Sequence, residues 1–222
     1  MKPMASSPKP KKAKGRMLKE FLPLRPAEKI LLKACRAGEV AEIASVRPAE
    51  MTDANSVRAP FLRFLALGGD EQAPMHEHGV QLAGAWIEGS LDLEASRIPS
   101  SLTLTVCHFE EMPVFRDTRI AGTLHLGGCK MPGLDGNRLI CEGSVFLRNG
   151  FVATSQVNLH SARIENNLDC SNGNFSFGED KNGISLLAQS AVIHGGVFLK
   201  GQFIAAGEVQ LLNIRIDGDF EI

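Results

Sequence analysis

Two cysteines and a histidine are the first residues of this chain whose types and spacing suggest chemistry. Cys107 and Cys129 lie 22 residues apart, and His108 directly follows the first of them. A repeat of that length would stack the two thiols on neighbouring turns, about 5 Å apart. A structural zinc site needs four nitrogen or sulfur ligands, but glycine and glutamine occupy the equivalent positions further along. We therefore expect buried thiols and no metal ion here.

The segment His76-Glu77-His78 is a second candidate for metal binding. In an extended chain its two imidazoles would lie on one side, as metal ligands require. The segment connects the helical part of the sequence to the repetitive part, which favours a structural role in a loop. We expect neither a metal nor a cofactor in this protein.

Charged residues that could act on a polysaccharide occur at Asp92, Arg116, Asp117 and Arg119. Charged side chains that point outward from a repetitive fold usually form a solvated face, and their ion pairs contribute little. The sequence shows no nucleophile next to a base and no glycine-rich phosphate loop. The pattern favours a non-enzymatic protein, with a polysaccharide-active β-helix enzyme as the alternative.

A repeat of about 22 residues positions these side chains. The residues that begin successive repeats are Ile98, Ile120, Cys141, Ile164, Ile193 and Ile216. Further apolar residues stand four and six positions after each of them, an alternation typical of half-buried strands. A self-similar period of this length indicates a solenoid. We predict a mainly β fold: a right-handed parallel β-helix with a small N-terminal α-helical cap.

The repeat also predicts where function can lie. Large apolar residues fill the inward columns, so we expect a packed interior without a ligand cavity. Function must then reside on an outer face, in the loops or at an end. Each repeat also has a corner position two residues after its first member, which predicts a backbone with positive φ. The residues at this position are Ser100, Gly122, Gly143, Asn166, Gly195 and Gly218.

The chain divides into three parts. Residues 1–16 carry six Lys or Arg and no acidic residue, which predicts a disordered basic tail. Contact with nucleic acid or an anionic membrane is expected only through the tail residues Lys9, Lys11, Lys12, Lys14 and Arg16. Residues 17–72 are predicted to form the helical cap, and residues 73–222 the solenoid.

Within the cap, three helices are predicted. The first follows Pro26 and ends at Gly38. A shorter helix is expected around Ala41 to Val46, and a third is capped by Thr52 or Asp53. Pro60 lies inside the third and should kink it or begin a new helix there.

Overall composition excludes several classes of protein. The net charge is −1, so there is no global attraction to nucleic acid. The chain has five cysteines, no tyrosine and one tryptophan. An odd number of cysteines predicts free thiols in a reducing compartment. No signal peptide or transmembrane segment is apparent, and a cytoplasmic location is expected.

One polar insertion interrupts the repeat at residues 178–183, bracketed by glycine. Solenoids commonly place insertions on a binding face. We predict binding residues in this loop at Glu179, Asp180, Lys181 and Asn182. Further candidates are Asp135, in a milder irregularity of the preceding repeats, and the charged cluster Arg116, Asp117 and Arg119.

Over residues 80–222 the repeats resemble bacterial right-handed β-helix modules, in the general style of bactofilins and pentapeptide-repeat proteins. Residues 120–126 (IAGTLHL) and 164–170 (IENNLDC) carry the resemblance. The coils are longer than those of bactofilins, and the five-residue pentapeptide register is missing. A bactofilin likeness implies end-to-end polymerisation and membrane contact by the basic tail. A pentapeptide likeness implies a protein-binding rod or a duplex DNA mimic, and the net charge argues against mimicry.

Three functional hypotheses follow from the sequence. The first is a scaffold or protein-interaction module that binds a macromolecular partner through a side face or the 178–183 loop. The second is the polysaccharide-active enzyme. The third is a structural protein that self-associates end to end through the C-terminal rung, Phe220 to Ile222, because an uncovered apolar rung invites pairing.

Overall fold

The computed structural model describes residues 15–177 and 183–222. Within these ranges, a 3-10 turn at Leu18–Phe21 precedes two α-helices, α1 at Pro26–Ala37 and α2 at Ala59–Ala66. A short antiparallel hairpin pairs Gly69–Asp70 with Ala73–Pro74. The remaining strands of the described chain are short and parallel and form four stacked sheets. We name these sheets sides 1 to 4, in the order in which the chain visits them within a turn from Leu102 onward.

The strands of side 1 are Ala41–Glu42, Val80–Ala83, Leu102–Thr105, Leu124–His125, Val145–Phe146, Leu168–Asp169, Val197–Phe198 and Phe220–Glu221. Those of side 2 are Ser56–Arg58, Trp86–Glu88, His108–Phe109, Lys130–Met131, Val152–Ala153, Asn174–Phe175 and Ile204–Ala205. Those of side 3 are Leu134–Asp135, Val157–Asn158, Ile184–Leu187 and Glu208–Gln210. Those of side 4 are Arg97–Ile98, Arg119–Ile120, Ile140–Cys141, Arg163–Ile164, Val192–Ile193 and Arg215–Ile216.

Successive turns of the chain pair in register. On side 1, Leu124 aligns with Leu102 in the turn before and with Val145 in the turn after. Side 4 shows the same alignment of Ile120 with Ile98 and Cys141. The described chain is therefore a β-solenoid of about six turns of about 23 residues, which confirms the predicted fold class. Its few helices precede the turns, as expected of a cap.

Side chains fill the interior of the solenoid. The inward column of side 1, exemplified by Leu102, Leu124 and Leu168, is fully buried. Aromatic rings pack along another inward column, where Phe175 lies 5.2 Å from Phe151 and 5.3 Å from Phe203 between ring centroids. Such packing leaves no lumen along the axis, so any binding surface of these turns must face outward.

The first cap helix forms as the sequence predicts. Pro26 occupies its first turn, and Gly38 ends it in a left-handed conformation with φ of 72°. Leu31 and Cys35 are fully buried on its inner face, whereas Ile30 is exposed. The apolar face is therefore narrower than the sequence pattern suggested.

The helix predicted around Ala41 to Val46 is wrong. The third helix does not begin at Thr52 or Asp53, but the alternative that a new helix begins at Pro60 is confirmed. Ala41–Glu42 is the first strand of side 1, and Ser56–Arg58 is the first strand of side 2. Both cover the free edge of the first solenoid turn, where pairing of backbone amides outweighs local helix preference. The third helix begins only at Ala59, with Pro60 in its first turn.

The buried carboxylate of Glu28 connects two segments of the cap. Glu28 is fully buried, and its side chain accepts hydrogen bonds from the backbone amides of Arg25 at 3.0 Å and Arg58 at 3.1 Å. It also forms an ion pair with the Arg58 guanidinium at 2.6 Å. Burial opposes ionisation, but the bonds from Arg58 and Arg25 outweigh it and lower the pKa of Glu28. Arg25 in turn pairs with Glu88 of side 2, so the network joins α1 to the solenoid.

The prediction that the corner residues adopt positive φ is wrong, although glycine is required there for another reason. The glycines at 122, 143, 195 and 218 have ordinary negative-φ or extended backbones. They are required because the backbones of neighbouring turns approach closely there: a Cβ on Gly143 would lie 2.7 Å from the carbonyl carbon of Gly122. Left-handed residues occur instead three positions before each repeat begins. They are Ala95, Asp117, Arg138, Ser161, Ser190 and Asn213, with φ from 51° to 57°.

This close approach predicts the effect of a single methyl group. We expect Gly143→Ala to destabilise the protein by about 1–3 kcal/mol, because the added Cβ must push neighbouring turns apart. The control is Asn166→Ala, which places the same residue at the same corner of the next turn, where a Cβ already fits. It should change stability by no more than about 0.5 kcal/mol. Urea unfolding measures both, and equal losses in the two variants would contradict the argument.

Candidate interaction surface

The structure joins the predicted charged cluster to neighbouring turns by ion pairs. Arg116 pairs with Asp135 of the next turn and with Glu94 of the preceding one, at 3.4 Å from the latter. Asp135 is nearly buried, and its other oxygen accepts a hydrogen bond from the backbone amide of Asn137. These two predicted binding residues therefore contact each other.

Asp117 and Arg119 form separate pairs. The two carboxylate oxygens of Asp117 accept bonds of 2.6 Å from the Arg138 guanidinium, whose hydrogen bonds lower the pKa of the aspartate. Arg119 binds Glu142 at 2.6 Å. Since these groups already neutralise one another along the solenoid axis, they form a face of balanced charge.

The remaining predicted binding residues, Glu179, Asp180, Lys181 and Asn182, lie outside the described residues, as do Lys9, Lys11, Lys12 and Lys14 of the tail. The chain on either side of the 178–183 insertion is described. Asn174–Phe175 belongs to side 2 and Ile184–Leu187 to side 3. The insertion therefore connects these two sides.

The cysteines are buried thiols in the structure. Cys107 and Cys129 are fully buried, and the Cys129 thiol donates to the carbonyl of Leu104 at 3.1 Å. Burial, followed by the neighbouring Cys107 thiol, raises the pKa of Cys129. Such thiols are poor nucleophiles and poor metal ligands. Within residues 15–177 and 183–222, no group of three potential ligands could hold a metal ion.

The two histidines of the connecting segment also make local contacts. The rings of His76 and His78 lie 4.4 Å apart between centroids. The Nδ1 atom of His78 is 3.0 Å from the carbonyl oxygen of Gly38, at the end of α1. The pair therefore touches the end of the first cap helix.

The outer face of side 1 has a different character from the charged face. Its outward residues are aligned by the strand register in the column His125, Phe146, Asp169, Phe198 and Glu221. Basic residues stand two positions after each phenylalanine, at Arg148 and Lys200. We call these seven residues the aromatic-cation face.

Arg148 lies at the centre of the aromatic-cation face. Its guanidinium carbon is 4.2 Å from the centre of the Phe146 ring, and its Nη1 atom donates to Asp169 at 2.8 Å. The Nε atom of Arg148 is buried and has no hydrogen-bond partner in the described part of the chain. A buried donor without an acceptor is unfavourable, so this atom represents a local cost of packing Arg148 against Phe146.

The same arrangement recurs two turns further along. The Lys200 ammonium lies 4.8 Å from the centre of the Phe198 ring and 2.8 Å from the Glu221 carboxylate. On the other flank, the rings of His125 and Phe146 meet edge to face at 5.2 Å between centroids. Burial, and then the nearby Arg148 charge, lower the pKa of His125, which favours its neutral form.

The sequence carries a signal for this surface that lies apart from its charged clusters and its candidate metal ligands. Phe146-Leu147-Arg148 and Phe198-Leu199-Lys200 place an aromatic residue at an outward strand position where the neighbouring turns carry polar residues. An outward phenylalanine next to a cation departs from the usual polar exterior of a strand.

Comparisons with protein-family models, with curated proteins and with solved structures found no match to this chain. The fold class is established by the strand pairing itself: the chain is a β-helical repeat protein. Among the described residues, moreover, neither α-helix has the length and apolarity needed to cross a membrane.

The aromatic-cation face predicts a pH-dependent contribution to stability. Burial of Asp169 opposes ionisation, but hydrogen bonds from Ser171 and Arg148 outweigh it and lower its pKa. The carboxylate therefore stabilises the fold above the pKa of an unfolded aspartate, about 3.9, and this contribution is lost as the pH falls through the lower folded value. We expect Asp169→Asn to be less stable than the wild type at pH 7, with the difference closing below about pH 3.9.

Urea unfolding at several pH values measures this difference. Asp219→Asn serves as the control, because Asp219 is exposed and forms no ion pair with the described residues. It should differ little from the wild type at any pH. A deficit for Asp169→Asn that stays constant down to pH 3 would show that the carboxylate charge does not stabilise this face.

Proposed function

We propose that this protein is a non-enzymatic β-solenoid scaffold that binds a protein partner through the aromatic-cation face of side 1. The observation that carries the proposal is the repeated pairing of a half-buried phenylalanine with a cation, two turns apart on one rigid face. Aromatic and arginine side chains dominate the energetics of protein interfaces.

The rigidity of the surface supports the same proposal. Each residue of the column is held by a strand paired on both sides, except in the last described turn. A partner that lies across several turns therefore meets side chains that are already ordered, which lowers the entropic cost of binding. The 178–183 insertion, between sides 2 and 3, would supply a second contact in the same proposal.

The geometry gives less support to the polysaccharide-active alternative. A glycosidase needs two carboxyl groups that face each other across the substrate, one of them protonated. Asp92 accepts a hydrogen bond from the amide of Glu94 in a local turn, while Asp117 is ion-paired and its pKa is lowered. Neither carboxyl is positioned as a general acid, so the interaction module is the better supported function.

A cytoplasmic location belongs to the same proposal. All five cysteines are buried as free thiols. A protein with this arrangement is suited to a reducing compartment, where unpaired thiols persist.

Capture of a partner tests the proposed face. The protein and its double variant Phe146→Ala/Phe198→Ala are used as bait in a native lysate, together with the control Arg119→Gln/Arg163→Gln on side 4. We expect a protein that the wild type and the control retain equally and that the aromatic variant retains at least about tenfold less, as for interface hot spots. Equal retention by all three baits would contradict the proposed face.

End-to-end self-association is a second candidate, favoured by the exposure of the last described turn. Phe220 is 46% exposed and Ile222 86%, whereas the equivalent Leu124 and Leu126 of an inner turn are fully buried. The strand Phe220–Glu221 pairs on one edge only among the described strands. A second copy stacked on this turn would bury those side chains and pair that edge. Kinship with bactofilins or pentapeptide-repeat proteins remains part of this proposal.

Sedimentation across a range of concentrations tests self-association. We expect the wild type to form dimers or longer species as concentration rises, and Ile222→Asp to remain monomeric because the charge would be buried in the contact. The control is Val46→Asp, a change at another exposed apolar residue, in the cap segment. A wild type that remains monomeric at the highest concentration would contradict the proposal.

A further inference from the structure

Three arginines surround one cavity where the cap meets the solenoid. The cavity has a volume of about 350 Å³, and its lining includes Arg16 from the start of the described chain, Arg63 from α2 and Arg97 from the first strand of side 4. Ser96 and Glu94 complete its polar wall. The site is thus assembled from the cap and the first turn together.

The positive charge of this cavity is not neutralised by the protein. Eight other arginines form ion pairs within the described chain. Arg16, Arg63 and Arg97 form none with the residues that the structure describes. The acidic residue in the lining, Glu94, lies 3.4 Å from Arg116 and is engaged there. Gathering like charges in one concavity costs free energy that a bound anion would offset.

The acidic residues near Arg16 form no ion pair with it in the described chain; Glu20 accepts a hydrogen bond from the backbone amide of Arg16 but none from its side chain. Asp70 and Glu71 line a neighbouring cavity that shares Arg16. The Asp70 carboxylate accepts hydrogen bonds from the amides of Leu18, Gln72 and Ala73. Neither acid lies within ion-pair distance of Arg16. They leave the three-arginine cavity with a net positive charge.

The geometry also fixes one of the three guanidinium groups. Arg63 donates from Nε to the carbonyl oxygen of Asp92 at 2.7 Å, which anchors its guanidinium between α2 and the first turn. Its two terminal nitrogens stay available, as a planar fork suited to phosphate oxygens. Arg97 is exposed, and its side chain makes no hydrogen bond with the described residues.

We propose that this three-arginine cavity binds a terminal phosphate group. A phosphomonoester dianion offers three oxygens to the guanidinium groups and offsets most of their charge. The cavity exceeds the volume of a phosphate, which leaves room for the group to which the phosphate is esterified. The phosphate can come from a soluble metabolite or from the headgroup of phosphatidate, and the experiment distinguishes these sources.

Calorimetric titration of the full chain at constant ionic strength measures the soluble source, with inorganic phosphate and glycerol 3-phosphate as the ligands. Co-sedimentation with vesicles of phosphatidylcholine, with and without phosphatidate, measures the lipid source. We expect saturable binding in one of these arms. The absence of binding in both would overturn the proposal.

Two pairs of variants separate a specific site from general charge attraction. Arg97→Gln should weaken phosphate binding about tenfold, and Arg63→Gln/Arg97→Gln should abolish it. The controls Lys33→Gln and Lys29→Gln/Lys33→Gln remove the same charge from exposed positions of α1 and should retain wild-type affinity within about twofold. An equal loss in the control variants, or full affinity in Arg97→Gln, would overturn the proposal. Because the Arg97 side chain is exposed and forms no hydrogen bond or ion pair with the described residues, its variant tests binding with little risk to the fold.

Discussion

The structure depends on one constraint: each turn must place its backbone amides on the carbonyls of its neighbours, at the strand spacing of about 4.8 Å. The bonds from the Leu124 amide to the Ser144 carbonyl and from the Val145 amide to the Asn167 carbonyl repeat this contact turn after turn. At the tightest corner, backbone meets backbone, and Gly143 and Gly122 are the residues that allow it. Insertions such as 178–183 are tolerated only between strands, where this spacing is not imposed.

The same constraint determines what an outer face can be. Stacking in register places each outward side chain directly beside the equivalent residue of the next turn, so like charges would repel and isolated apolar groups would be exposed. Side 4 and its corner reduce this repulsion by ion pairs between turns, as in the pairs of Arg119 with Glu142 and of Asp117 with Arg138. Side 1 resolves it by covering phenylalanines with cations. The first solution leaves a surface of mostly paired charges, and the second leaves a surface with apolar area.

The sequence predicted the parts of this structure that follow from periodicity. The repeat from Ile98, the inward columns and the helix from Pro26 to Gly38 could be predicted because apolar spacing and capping residues specify them locally. The strands at Ala41–Glu42 and Ser56–Arg58 could not, since their conformation is imposed by the free edge of a turn that comes later in the chain. The pairing of Arg116 with Asp135 could not be predicted either, because it depends on the exact register between turns. The cavity of Arg16, Arg63 and Arg97 could not be predicted because its residues are far apart in sequence and only the fold brings them together.

The two ends of the described solenoid differ in how their last strands are satisfied, and this difference bears on both proposed contacts. In a solenoid each turn is stabilised by its neighbours only, so an end turn has one stabilising interface instead of two. At the first turn, the cap supplies the missing interface through two paired strands and the Glu28–Arg58 ion pair. At the last described turn Ile204 and Phe220 are half-exposed, because no described turn covers them. A partner on that end would order one turn. A partner on the aromatic-cation face would span several turns and couple their stabilities, because Phe146, Asp169 and Phe198 belong to three successive turns.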